Sequence, residues 1–133
     1  GHHRNGEEMS WESPYFTSEE MSCSHTGLEK MDARFMEMLT ELRVAYAKPL
    51  RVTSAYRDAT HPIEAKKTKP GAHATGKAAD IAVERGEAYE VLKLALEIGF
   101  TGIGVAQKGS GRFLHLDICE PEDGMIRPTV WSY

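Results

Sequence analysis

Apolar positions along this chain recur with two different periods, and the switches between them mark its elements. Leu28, Met31, Phe35, Met38, Leu39, Leu42 and Ala45 follow one another at spacings of mostly three and four, which lines one side of a helix running from about Leu28 to Ala47. Thr26-Gly27-Leu28-Glu29 has the form of a capping box for its start, and Pro49 ends it. The methionines on this face read as core filler, because thioethers suit irregular gaps. Ala88, Val91, Leu92 and Ala95 predict a second helix from Gly86 to Ile98, with Glu87 and Glu90 near its positive end and Gly99 as its stop.

Elsewhere the period is two. Leu50 to Ala55 reads as a strand with Leu50, Val52 and Ser54 on one face. Ala78 to Val83 reads as a central strand, Asp80 and Ala82 facing one way and Ala79, Ile81 and Val83 the other. Phe100 to Val105 is a glycine-rich strand joined by a turn at Lys108-Gly109-Ser110-Gly111 to Phe113 to Ile118, which makes a hairpin. Thr129 to Tyr133 is expected to return as an edge strand, and Trp131 and Tyr133 to close the sheet or wall a cleft. Residues 58–72, with Pro62, Pro70 and Gly71, read as a long loop, a kind often functional. Thr17-Ser18-Glu19-Glu20 forms a further capping box over a short turn. Residues 1–14 are polar and without period, so they are expected to be a flexible lead-in to one domain over residues 15–133. The order helix, strand, strand, helix, strand, strand predicts an α+β fold, a small mainly antiparallel sheet with helices packed on one face.

Composition narrows the partners. A chain of 133 residues can bury one core without disulfides, and a net charge of -4 with scattered Lys and Arg offers no basic stripe for nucleic acid. No apolar run is long enough to span a membrane, and no charged start followed by an apolar core resembles a secretory signal; the chain is either not exported by that route or has lost its signal. Cys23 and Cys119 match no metal-binding spacing and are open to either a disulfide or two buried thiols. A monomer is expected.

The chemistry concentrates in two stretches. His73-Ala74-Thr75-Gly76-Lys77-Ala78-Ala79-Asp80 offers an imidazole and a carboxylate seven positions apart with a glycine for the bend. In Phe113-Leu114-His115-Leu116-Asp117-Ile118 the alternation puts His115 and Asp117 on one face and the aliphatic residues on the other. Two His and one Asp are a normal ligand set for zinc, and three protein ligands leave a position open for a catalytic water. Asp80 between Ala79 and Ile81 would be costly if buried without a partner. His25 and His61 have no spaced partners and read as structural or exposed, Tyr56 as core, and His2 and His3 lie outside the argument.

Ser54-Ala55-Tyr56-Arg57, the stretch from His73 to Asp80, and His115-Leu116-Asp117 together resemble the D-alanyl-D-alanine carboxypeptidase family of zinc peptidases, metallopeptidase family fifteen, over about Phe16 to Tyr133. The resemblance implies a zinc ion on His73, Asp80 and His115, with Arg57 binding substrate or steadying the developing oxyanion, and Ser54 binding substrate beside it. It implies cleavage of peptidoglycan stem peptides at the bacterial cell wall, in the periplasm or outside the cell, as a carboxypeptidase or, in phage members, an endolysin or virion protein. The hedgehog signalling domain has a similar fold that keeps zinc without evident peptidase activity, so a non-catalytic zinc module for wall binding or particle assembly is the alternative. Several relatives place an acidic general base three residues before the last His; here that residue is Arg112. Asp117 then serves either as the base or as a group holding a ligand histidine. Arg57, Lys66, Lys67 and Lys69 would give an acidic protein local positive charge toward an anionic polymer.

Overall fold

A computed structural model describes residues 11–67 and 71–133, so the expected flexibility of residues 1–10 and the charge of Lys69 lie outside the described residues. Helix α1 spans Ala33–Tyr46 and α3 spans Arg85–Ile98, with a one-turn helix α2 at Pro62–Ala65 between them. Five strands, β1 Val52–Ser54, β2 Ala78–Ile81, β3 Gly102–Ala106, β4 Phe113–Asp117 and β5 Thr129–Ser132, form one sheet in the order β1-β2-β4-β3-β5. The fold is the expected α+β one, and every pairing is antiparallel except β3 with β5.

The sheet separates two chemistries. Ala79, Ile81, Ile103, Leu114 and Leu116 are buried with Phe35, Leu39 and Leu42 of α1 and Val91 and Ala95 of α3 in one core. The alternate positions Asp80, His115 and Asp117 point to the other face, as the period of two requires.

Four local readings change. Helix α1 begins at Ala33, because Thr26-Gly27-Leu28-Glu29 is spent on a turn: Leu28 N–H donates to Thr26 Oγ1, Gly27 has φ +76°, and Leu28 is 43 % exposed. Asp32 caps the helix instead, its carboxylate accepting from Phe35 N–H at 2.9 Å. In β1 a register shift pairs Val52 with Ile81 and Ser54 with Asp80, so the two do not share a face: Val52 packs against the core and Ser54 turns to the polar side. The expected loop over 58–72 contains α2, capped by His61 Nδ1 accepting from Ile63 N–H, and leads into a 3-10 turn at Ala72–Thr75. Trp11, placed ahead of the domain by its polar neighbours, is 6 % exposed and donates its indole N–H to Glu29 at 2.9 Å. Cys23 and Cys119 are free and buried, and Tyr56 is in the core.

Candidate metal centre

The register of β2 against β4 builds half of the site. Asp80 lies directly opposite His115, and Ala78 opposite Asp117. Directly opposed residues share a sheet face with their Cβ atoms about 5 Å apart, close enough for a carboxylate and an imidazole to meet. His73 comes from the 3-10 turn before β2, which ends at Gly76 with φ +77°. A side chain at Gly76 would run into the Lys30 carbonyl, where the chain passes so closely that Asp32 N–H donates to Gly76 O at 2.8 Å. Glycine here lets the chain reverse and deliver His73 against Asp80.

The hydrogen bonds select the tautomers. His73 Nδ1–H donates to the Ala55 carbonyl at 2.7 Å, and His115 Nε2–H donates to Asp117 Oδ2 at 2.7 Å. Each ring thereby turns its other nitrogen inward: His73 Nε2 is 3.2 Å and His115 Nδ1 is 3.1 Å from the same atom, Asp80 Oδ1. In neutral rings those inner nitrogens carry no proton, so two nitrogen lone pairs and a carboxylate oxygen converge. Such a group needs a positive charge at its centre. A proton shared with the rings supplies it, and so does a metal ion, whose histidine ligands are ordinarily held in this way by a carbonyl or carboxylate on the outer nitrogen. His73, Asp80 and His115 are all buried, and their ligand atoms lie within 4.8 Å of one another. Burial works against the charge of Asp80, but where the inner nitrogens carry protons, hydrogen bonds from His115 and His73 outweigh it and hold its pKa well below the usual carboxylate range. Burial likewise opposes a charged His115, and the carboxylates of Asp117 and Asp80 reverse that and raise its pKa.

Behind His115 stands a second charged pair. Asp117 is fully buried; its Oδ1 accepts from Arg127 Nε at 2.9 Å and Cys119 N–H at 3.1 Å, and its Oδ2 from His115 and from Arg127 Nη2 at 2.7 Å. Burial opposes its ionisation, but His115 and Arg127 prevail and bring its pKa down to about 2. Gly102, the partner of Asp117 on β3, makes the room: any Cβ there would overlap Asp117 and Arg127. A cleft of about 410 Å³ opens over the group, lined also by Arg57, Lys67, Arg127, Trp131 and Tyr133.

Gly104, opposite His115, is bare for a similar reason. A Cβ there would lie 2.6 Å from Trp131 Nε1, whereas its absence lets the indole lie with its centroid 5.1 Å from the His115 ring. The alternate glycines of β3 thus clear one face of the sheet. Gly104→Ala is expected to displace Trp131 and cost about 1–3 kcal/mol by overpacking, with metal affinity falling as His115 loses its neighbour. Chemical denaturation with a zinc titration checks it, and a variant of unchanged stability and affinity would leave the glycine unexplained.

Arg57 reaches the cleft from the segment after β1. Its Nε donates to Ser54 Oγ at 3.3 Å, its Nη1 to Glu64 Oε2 at 3.4 Å, and its Nη2 is 3.9 Å from Asp80 Oδ2. Glu64, on α2, is almost wholly buried; it also accepts from Lys67 Nζ at 2.9 Å and Gly71 N–H at 3.0 Å. Ser54, expected to bind substrate, does not line the cleft among the described residues and acts on it through Arg57. Arg112, in the position of the family's acid, donates to the Gly109 carbonyl and lines a different groove with Arg51. His25 and His61 lie together, ring centroids 6.1 Å apart, outside the cleft lining. Arg127 and Glu64 carry no signal in the sequence: each lies in an aperiodic stretch, and only the fold shows what it holds.

The sequence pattern of Peptidase M15 matches residues 14–117, the greater part of the chain and all three of the converging residues. The chain belongs to that family. No curated protein sequence matches it. As an M15 chain it carries a peptidase domain of a zinc-dependent family, with a His-Asp-His group that could bind a metal. Among the described residues no helix is long and apolar enough to cross a membrane.

Proposed function

We propose that this M15 chain is a zinc peptidase that hydrolyses stem peptides of peptidoglycan. The observation that carries the reading is the convergence of His73 Nε2, Asp80 Oδ1 and His115 Nδ1 on the floor of a cleft, with both histidine tautomers fixed from behind. His73, Asp80 and His115 would hold the metal, which supplies a Lewis acid and lowers the pKa of water. Hydrolysis breaks the C–N bond of an amide, water giving its oxygen to the carbonyl carbon and a proton to the amine. The chain's own groups bind and orient around that change. Arg57 offers its guanidinium to a substrate carboxylate or to the carbonyl oxygen, and Glu64 and Ser54 keep it in place. Asp117 is assigned to orienting His115. A carboxylate has about four lone-pair sites, and those of Asp117 are taken by Arg127 twice, His115 and Cys119, which leaves none facing the cleft for a water proton. Lys67, on the cleft wall, adds positive charge for an anionic polymer.

The test is incubation of the zinc-loaded protein with purified peptidoglycan and mass analysis of what is released. Stem-peptide fragments that appear with zinc and vanish with chelator are expected. No release from any peptidoglycan type by fully loaded protein defeats the reading. The second reading, a zinc-held binding module, then takes over. It draws on one observation: Asp80 is the sole carboxylate among the described residues lining the cleft.

Arg57→Lys is expected to lower kcat/KM by about 100-fold, close to the loss in Arg57→Ala, because a point charge cannot reproduce a planar fork held at Ser54 and Glu64. Steady-state kinetics of both variants decide it, and near-normal turnover with lysine means Arg57 makes only a structural pair.

A further inference from the structure

Three aromatic residues, Phe113, Trp131 and Tyr133, line the cleft beside the His73, Asp80 and His115 group. Tyr133 is 65 % exposed as a residue, but its hydroxyl end turns inward. A Cβ built on Gly104 would lie 2.9 Å from the Tyr133 hydroxyl, as well as 2.6 Å from Trp131 Nε1. Because Gly104 is the direct partner of His115, that hydroxyl stands over the polar face of the sheet next to the metal group. Its ring is held against Phe113, centroids 5.2 Å apart.

The neighbours of the hydroxyl limit where its proton can go. The Trp131 indole nitrogen, which crowds the same space over Gly104, carries an N–H that can only donate and cannot accept the phenol proton, so that proton is left for an acceptor in the cleft. A tyrosine phenol ordinarily titrates at about 10. The phenol therefore keeps its proton at neutral pH. A tyrosine that only closed the sheet would leave its hydroxyl to water; this one brings it to the floor of the cleft through a gap that a side chain at Gly104 would fill.

The geometry points to Tyr133 as a hydrogen-bond donor to the carbonyl oxygen of the scissile amide, on the same cleft as Arg57 and stronger as that oxygen gains negative charge. This role rests on the peptidase reading above. The donor would act in the transition state more than in the bound peptide, so it should appear in kcat and not in KM.

Tyr133→Phe removes the hydroxyl and keeps the ring that packs on Phe113. We expect kcat to fall by about 100-fold, the scale for losing one such donor, with KM, zinc content and melting temperature unchanged. Calorimetric binding gives a second readout. A phosphinic peptide, whose tetrahedral oxygens imitate the charged carbonyl, should bind the variant more weakly by a factor similar to the fall in kcat, and the corresponding plain peptide equally well. Unchanged kcat and unchanged phosphinic peptide affinity, in a protein that cleaves peptidoglycan, overturn the role of Tyr133 and leave the peptidase reading intact. An unmutated, zinc-loaded protein without turnover defeats the peptidase reading and this role together. A rise in KM with kcat preserved would mean that Tyr133 is only a wall of the cleft.

Discussion

Arg127→Met is expected to destabilise the protein by about 3 kcal/mol at neutral pH, the scale for leaving one member of a buried ion pair without the other. Asp117 has no exposure and the Arg127 side chain only 8 %, so solvent screens the pair little. Methionine replaces the bulk of the arginine but neither of its hydrogen bonds to Asp117, made at 2.9 and 2.7 Å to the two carboxylate oxygens. The pH dependence identifies the cause. Asp117 titrates near 2 in the folded chain and about two units higher unfolded, so its ionised form stabilises the fold above roughly pH 4, and that contribution is lost as pH falls through the folded value. Without Arg127, only His115 and Cys119 N–H still oppose burial, and the Asp117 pKa moves upward. The deficit of the variant should then be largest at neutral pH and narrow as acid protonates Asp117 in both proteins. Denaturant titrations at several pH values measure this, and a deficit that does not change with pH would assign the loss to packing. Zinc affinity should fall as well, by about 10-fold to 100-fold, since an Asp117 no longer held by Arg127 orients the Nε2–H tautomer of His115 less firmly.

Only part of this network is legible along the chain. His115 and Asp117 are legible because a strand alternates, and two polar residues among three aliphatic ones can only share a face. Asp80 is legible because an acid inside an apolar strand needs a partner. The structure brings His73, Asp80 and His115 together. Arg127 gives no such sign, since its position opposite Asp117 depends on the return of the chain into β5, which pairs with β3 in parallel. Nothing in a run of alternating residues says which strand it will lie beside or in which direction. The start of α1 was misplaced for a related reason. Thr26 and Glu29 have the spacing of a cap, but Glu29 is drawn away by Trp11 N–H and Met31 N–H, and Thr26 closes a turn with Leu28. Burial of a distant tryptophan outweighed a local signal.

The alternate glycines of β3 were visible as a weak strand and turned out to be informative about the other strands. A glycine-rich strand gains little from its own side chains. Gly102 and Gly104 are there for the groups above them: the first leaves space for Asp117 with Arg127, the second for Trp131 and the Tyr133 hydroxyl. Both supports of His115 thus depend on atoms that β3 lacks.

His115→Ala is expected to abolish stoichiometric zinc binding, with an affinity loss of at least about 100-fold, since one of three donors is gone and several kcal/mol of coordination go with it. Elemental analysis should find one zinc in the unmutated chain and none in the variant. His61→Ala, at a histidine outside the cleft lining, should retain the metal and serves as the control. Stability supplies an independent reading, because a ligand that binds only the folded chain raises its stability by roughly 4 kcal/mol at a thousandfold excess over Kd. Chelator should therefore lower the melting temperature of the unmutated protein and leave that of His115→Ala where it was. Asp117 should not collapse the variant, since Arg127 and Cys119 N–H still hold it on the far side. Stoichiometric zinc in His115→Ala would show that the third donor is another residue. No zinc in the unmutated chain would show that the convergent lone pairs are balanced by protons on His73 and His115, and the metal reading of the cleft would then fail at its first step.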